Sequence, residues 1–258
     1  MEQITSRANP LISHVRHLAA SAAYRREQNL FVCDGYKLLQ EALRWNGGIR
    51  TVLVAVGSAV PEDLPPDVRT AAIPPDVMRS VSPSRTPQGV LCVCAIPSRT
   101  LPERLDGRRY LVLDGVQDPG NVGTVLRTAD ALGADGVLLL PGCADLYNPK
   151  TVRATMGALF RLPAWNCTTE QLDALLRRSA LPLYGAAVRE DARDIRDADW
   201  SRFAAALGSE GRGLSAQTLS LCAGTVRIPM RSRCESLNAA MAAGVLLWEA
   251  ARTDTEQE

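Results

Sequence analysis

From residue 108 onward, short apolar runs recur with helical stretches between them, and this alternation limits the chain more than any other feature. It calls for a mainly parallel sheet covered by helices on both faces. The expected strands are Tyr110 to Leu113, Val137 to Leu140, Leu183 to Val188, Phe203 to Leu207 and Thr225 to Ile228. In open sheets of this kind ligands gather beyond the carboxyl ends of the strands. Chemistry is therefore expected in the segments that follow Leu113, Leu207 and Ile228.

Upstream the pattern predicts a smaller α/β unit. It has a helix from about Pro10 to Ala19, a strand over Leu30 to Cys33, a helix over Tyr36 to Trp45 ended by Gly47-Gly48, and a strand over Thr51 to Val56. A short helix over Pro75 to Ser80 and a buried strand over Gly89 to Ala95 complete it. The Pro- and charge-rich stretch from Ile96 to Gly107 has no sustained apolar period. The expected organisation is a first domain over 1–96, a linker over 97–107 and a second domain over 108–258.

A chain of 258 residues, 46% hydrophobic and 22% charged, buries real cores without disulfides or metals. Its apolar runs are too short to cross a bilayer and Met1 to Pro10 is polar, so neither a membrane span nor a secretory leader is expected. Seven scattered cysteines, the closest pair being Cys92 and Cys94 at strand alternation, read as small buried hydrophobes in a reducing, cytoplasmic setting, with no metal site. The net charge of +1 carries no information as a total. Locally, Arg7, Arg16, Arg25 and Arg26 stand against Glu2 and Glu27, and Arg227, Arg231 and Arg233 bunch near the far end. Either group is a basic patch or a solvated charged face.

The three segments beyond the strands are unusual. In the first, Asp118 is placed to cap a helix with Pro119 at its first position and Gly133 at its end. Arg127 then lies about two turns in, and Asn121, six residues earlier, sits about 120° around the axis. In the second, Gly208-Ser209-Glu210-Gly211-Arg212-Gly213, three glycines let backbone approach a ligand around one carboxylate. It lacks the ending of a triphosphate loop, and no Gly-x-Gly-x-x-Gly turn follows the first strand of either domain, so nucleoside-triphosphate and NAD-dependent oxidoreductase readings lose support. In the third, Ser236 is placed as the N-cap of a helix whose Ala239, Ala240, Ala242, Ala243 and Gly244 permit very close packing. Taken singly, each segment is equally well a capped surface helix or a plain turn.

Together, in order, they resemble the three signature motifs of the SpoU-type RNA ribose 2′-O-methyltransferases. The matching residues are Asn121…Arg127-Thr128-Ala129, then Gly208-Ser209-Glu210-Gly211…Gly213, then Ile228-Pro229-Met230…Ser236-Leu237-Asn238. Upstream, Phe31 to Leu39 and Thr86 to Val90 look like the L30e-like substrate-binding domain of that family. Two departures stand out: Ser232 where the family usually has glycine, and Asp34 where it usually has glutamate.

The resemblance implies an α/β fold in which a trefoil-knotted, mainly parallel sheet follows a small L30e-like domain. It implies S-adenosylmethionine as cofactor, a structured RNA, ribosomal rather than transfer, as substrate, and a homodimer whose active site draws on both chains. It puts forward Arg127, Asn121, Glu210, Ser236 and Asn238 for catalysis, and Gly208, Ile228 and Leu237 as backbone contacts to the cofactor's adenine and sugar. The only histidines, His14 and His17, fall in the first domain, so the second holds no ordinary base for neutral pH. Arginine keeps its proton in proteins, which makes Arg127 an electrostatic rather than a proton-accepting group. The rival from another class is a non-catalytic RNA-binding protein of the same fold.

Overall fold

The computed structural model describes residues 1–60, 63–231, 233–234 and 236–255, so Ser232 lies outside the described residues. The chain forms β1 (Glu2–Gln3), α1 (Pro10–Ala20), α2 (Ala22–Gln28), β2 (Leu30–Asp34), α3 (Tyr36–Arg44), β3 (Ile49–Ala55), β4 (Arg69–Ile73), α4 (Pro75–Val81) and β5 (Val90–Ala95). It continues with β6 (Arg109–Asp114), α5 (Pro119–Ala131), β7 (Gly136–Leu139), α6 (Pro149–Thr155), α7 (Ala158–Arg161), β8 (Ala164–Asn166), α8 (Thr169–Ser179), β9 (Leu183–Ala186) and β10 (Arg193–Asp194). Then come β11 (Phe203–Gly208), α9 (Ala216–Leu221), β12 (Gly224–Arg227) and α10 (Ala239–Thr255). Among the described residues no helix is long and apolar enough to cross a membrane.

Two compact units result. Met1–Ser98 and Asp145–Arg161 make the first, and Arg99–Ala144 with the chain from Leu162 onward makes the second. Residues 145–161, expected within one continuous second domain, thus belong with the first unit. The stretch over 97–107 is irregular but fastened. Arg99 Nη1 donates to the Leu162 carbonyl (2.7 Å), the Leu105 N–H to Ser179 Oγ (2.8 Å), and Arg202 Nη2 to the Leu105 carbonyl (2.7 Å). Leu105 itself is buried in the core of the second unit.

In the first unit one sheet runs β1-β4-β3-β5-β2, parallel across β1, β4 and β3 and antiparallel from β3 through β5 to β2. Helix α1 starts where Asn9 Oδ1 accepts from the Leu11 N–H (2.9 Å), and its Leu11, Ile12, Val15 and Leu18 pack on Leu53, Ile73 and Leu91. On the opposite sheet face, Phe31 meets Tyr147 and Phe160 of the returning segment. Only glycine fits at 157, where φ is +95° and a Cβ would lie 2.4 Å from Glu41 Cγ.

Arg25, expected on the surface in either reading of its group, is instead buried. Its Nη1 donates to the Leu18 carbonyl (2.7 Å) and its Nε to Asp145 Oδ2 (3.0 Å). Strand pairing also brings Cys33 to Cys92 and Cys94, all three buried, with sulfurs within 4.8 Å of one another. Burial pushes the Cys33 thiol well up. Cys167 is buried too, Cys143 and Cys222 are half-buried, and Cys234 is exposed, so not every cysteine is the core residue that was expected.

In the second unit seven strands run β10-β12-β9-β11-β6-β7-β8, every pair parallel. Tyr110, Val112, Ala204 and Ala206 share one core with Leu172, Leu175 and Leu176 of α8. Val122, Val125 and Leu126 of α5 and Leu246, Leu247 and Ala250 of α10 are buried as well. Strand β11 enters between β6 and β9, and β12 between β9 and β10, each inserted among strands laid down before it.

Candidate active site

The insertion of β11 places the carboxyl ends of β6, β9, β11 and β12 near one another. Gly208, the last residue of β11, pairs in register with Asp114, the last of β6. The glycine loop then folds back. The Gly213 N–H donates to the Ser209 carbonyl (2.9 Å), and Ser215 takes up Asp114 Oδ2 through its N–H (2.7 Å) before capping α9. The backbone comes so close that a Cβ on Gly208 would lie 2.1 Å from the Gly213 carbonyl carbon. Gly211 and Gly213 instead face open space.

A cavity of about 390 Å³ opens beside this loop, within the usual size range for small-ligand sites. Its walls are Ala186 to Arg189 after β9, Leu207 to Leu214, Val226 to Ile228 with Met230, and Ser236, Leu237, Ala239 and Ala242. Of the residues expected from the sequence, Gly208, Glu210, Ile228, Ser236 and Leu237 line it.

Two more expected residues are tied to that wall by hydrogen bonds. Asp118 Oδ1 accepts from the Asn121 N–H (3.0 Å), which fixes Asn121 in the first turn of α5. Asn121 Nδ2 donates to Glu210 Oε1, and Asn238 Nδ2 donates to Asn121 Oδ1 (3.0 Å). Asn238 Oδ1 in turn accepts from the N–H groups of Ala240 (2.9 Å) and Met241 (3.3 Å). Asn238, not Ser236 as the sequence led us to expect, therefore caps α10. Ser236 stands two residues before that cap, and its place is on the cavity wall.

Arg127 is the exception. It lies in α5 as expected, but its side chain is exposed and does not line the cavity of its own chain. Among the described residues it makes no hydrogen bond or ion pair with another side chain. The sequence reading also missed Ala186 to Arg189, because Leu183 to Val188 was taken as one strand; β9 ends at Ala186 and Val188 is exposed. The strand-end rule that located the other three walls would have found this one had the strand been ended earlier.

No thiol serves as a nucleophile here. Cys143 and Cys222, near Asp114, are pushed up by burial, Cys222 to about 11. What the site offers is a carboxylate held by an amide, a second amide behind it, and apolar walls suited to a flat heterocycle. A sulfonium nucleoside with a polar tail fits that set. Apolar Val226, Ile228 and Leu237 suit its rings, Glu210 complements its positive charge, and the open faces of Gly211 and Gly213 leave room that side chains would fill.

Residues 108–248 match the model of the SpoU rRNA Methylase family, and residues 9–92 match that of the MRM3-like substrate binding domain. The chain is 33% identical over 248 residues to the 23S rRNA (guanosine(2553)-2′-O)-methyltransferase RlmP of Bacillus subtilis, covering 96% of this chain and 98% of that protein. It is 34% identical over 266 residues to the 23S rRNA (uridine(2479)-2′-O)-methyltransferase of Streptomyces viridochromogenes, covering 97% and 92%. Among solved structures, the SpoU methyltransferase AviRb of S. viridochromogenes in complex with AdoMet superposes with a TM-score of 0.86 at 30% identity, over 96% of this chain and 98% of that one. The expected knotted, mainly parallel α/β domain behind a smaller α/β domain is the fold of this chain. With the glycine loop, its carboxylate and the two asparagines in place, the chain belongs to the SpoU rRNA methylase family.

Proposed function

We propose that this protein transfers a methyl group from S-adenosylmethionine to a ribose 2′-hydroxyl of ribosomal RNA. The observation that carries the reading is the hydrogen-bonded chain from Asn238 through Asn121 to Glu210, which joins three motifs far apart in sequence at the wall of a glycine-lined cavity.

The donor supplies an activated methyl group together with its own leaving group, which leaves positioning and charge stabilisation to the protein. Backbone at Gly208, Ile228 and Leu237 would hold the adenosine. Asn121 has one N–H committed to Glu210 and one lone pair to Asn238, so its amide is fixed in orientation and keeps one donor and one acceptor for a sugar. That pair suits a 2′-hydroxyl and its neighbouring oxygen. Ser236 offers a further hydroxyl from the cavity wall. As the O–CH₃ bond forms, the hydroxyl proton leaves to water and the guanidinium of Arg127 stabilises the charge developing on oxygen.

The arginine comes from a second copy, and the functional unit is a homodimer. Arg127 does not line the cavity of its own chain, while α10, packed on α5, exposes Met241 (62%) and Trp248 (67%) on one helical stripe. A second copy covering that stripe offers each cavity the arginine it lacks. The seven free cysteines and an rRNA substrate favour the cytoplasm as its place of work.

A mixing experiment tests both parts. Arg127→Ala and Glu210→Gln homodimers are each expected to be inactive on ribosomal RNA, by about a thousandfold. Co-refolded together, they form heterodimers in which one cavity is intact and receives an intact arginine, so activity returns. Mixtures as inactive as their parents would contradict the shared site, and a fully active Arg127→Ala enzyme would remove Arg127 from the chemistry.

A further inference from the structure

One helical layer of the first unit has an excess of cations. Helices α3, α6 and α7 carry Lys37, Arg44, Lys150, Arg153 and Arg161 with Glu41 as their single acidic residue, and Arg153 also donates to Ser84 Oγ (2.8 Å) near Asp34. The helices share one side of the unit. Phe160 of α7 would be 2.7 Å from a Cβ on Gly47, Gly157 is pressed onto Glu41, and α6 packs on β2. Glu41 is buried and accepts from Lys37 Nζ (2.8 Å) and from Arg161 Nη1, so it does not face solvent as a countercharge. Between Leu146 and Leu162 the returning segment has no acidic residue at all. Of the four arginines named near the N-terminus, Arg25 is buried on Asp145 and Arg7 pairs with Asp76, while Arg16 and Arg26 stay exposed on α1 and α2, outside this layer.

At the end of α3 this layer presents an exposed indole. Trp45 is 46% exposed, and the guanidinium carbons of Arg44 and Arg161 lie 5.6 and 5.8 Å from its ring centre. A large exposed aromatic costs free energy in water, and an aromatic flanked by guanidinium groups is a surface on which unpaired bases stack. A duplex hides its base faces, so the indole adds nothing to duplex binding.

We infer that the α3–α6–α7 layer is a binding site for single-stranded RNA, with an unpaired base stacked on Trp45 and phosphates on Arg44, Lys150 and Arg153. This rests on the proposed RNA substrate and adds which surface holds it and which RNA structure it selects. Half of that surface is encoded inside the methylase sequence and folds onto the substrate-binding unit.

The test uses the full-length protein and two fluorescein-labelled RNAs, a hairpin with a long unpaired loop and a blunt duplex of equal charge, with fluorescence anisotropy read over a range of salt. Trp45→Ala should weaken loop binding about tenfold and change duplex binding by less than about twofold, while Trp45→Phe keeps a stacking face and restores loop binding. Arg44→Gln, fully on the surface, should weaken both RNAs and reduce the salt slope by about 0.7, the share of one phosphate contact. Loop binding by Trp45→Ala equal to wild type, or an unchanged salt slope for Arg44→Gln, would overturn the site. S-adenosylmethionine binding, measured by calorimetry on the same variants, should be intact. Its absence from the wild-type protein would instead defeat the proposed function.

Discussion

In the first unit two buried charged groups, Arg25 and Glu41, are tied down. Arg25 bridges the Leu18 carbonyl and Asp145, and Glu41 joins Lys37 to Arg161. In the second unit the loops beyond β9, β11 and β12 leave Glu210, Gly211, Arg212 and Gly213 exposed around a cavity. Both units are built from strands alternating with helices, so the difference comes from what each must do. The first is assembled from two separated stretches of chain, and buried pairs such as Arg25 with Asp145 fix the returning stretch onto the rest. The second closes its own parallel sheet by insertion of β11 and β12, and the glycine loop with Glu210 lines an open cavity at its strand ends.

A substitution in the glycine loop should therefore damage binding, and one in a buried pair should damage stability. The largest effect is expected for Gly208→Ala. Its Cβ would collide with the Gly213 backbone and force the loop open, lowering S-adenosylmethionine affinity about a hundredfold by calorimetry. Thermal unfolding of the first unit should be unaffected; loss of fold in place of loss of binding would erase the contrast between the units.

A smaller effect is expected for Glu41→Gln, at about 1–2 kcal/mol near neutral pH, with cofactor affinity unchanged. The hydrogen bond from Lys37, aided by the charge of Arg161 and opposed by burial, holds the Glu41 carboxyl below its ordinary range. The folded-state value being the lower one, this stabilisation is complete above the unfolded-state value and is lost as pH falls through the folded one. Denaturant unfolding at a series of pH values should show the wild-type advantage shrinking on acidification. An advantage independent of pH would mean that the carboxylate charge plays no part.

The same contrast explains what could be read from the sequence. The capped start of α5, with Asp118, Pro119 and the terminating Gly133, was legible because each residue acts on its own backbone. The strands of the second sheet were legible as apolar runs. Helix α2 was not, since its buried residue is Arg25 and it carries no apolar period. Strand β4, Arg69–Ile73, follows a proline-rich loop and is short and weakly apolar, so only its pairing with β3 makes it a strand. Helices α6 and α7 took their place from Phe31 and Glu41, more than a hundred residues away.

In the candidate site, the motifs located Asn121, Glu210 and Asn238 but not the bonds among them. The capping role went to Ser236 because both Ser236 and Asn238 are good caps, and only the three-dimensional path decides between them. The place of Arg127 was illegible for a stronger reason: helical spacing fixes which side of α5 it occupies, not what that side faces.

The most direct test supplies the purified protein with S-adenosylmethionine labelled in its methyl group and ribosomal RNA from cells lacking the protein, then digests the RNA to nucleosides. The account predicts label in a 2′-O-methylated nucleoside, lost in Asn121→Ala. Label on a base, or none in any ribosomal RNA under conditions where the cofactor binds, would contradict it.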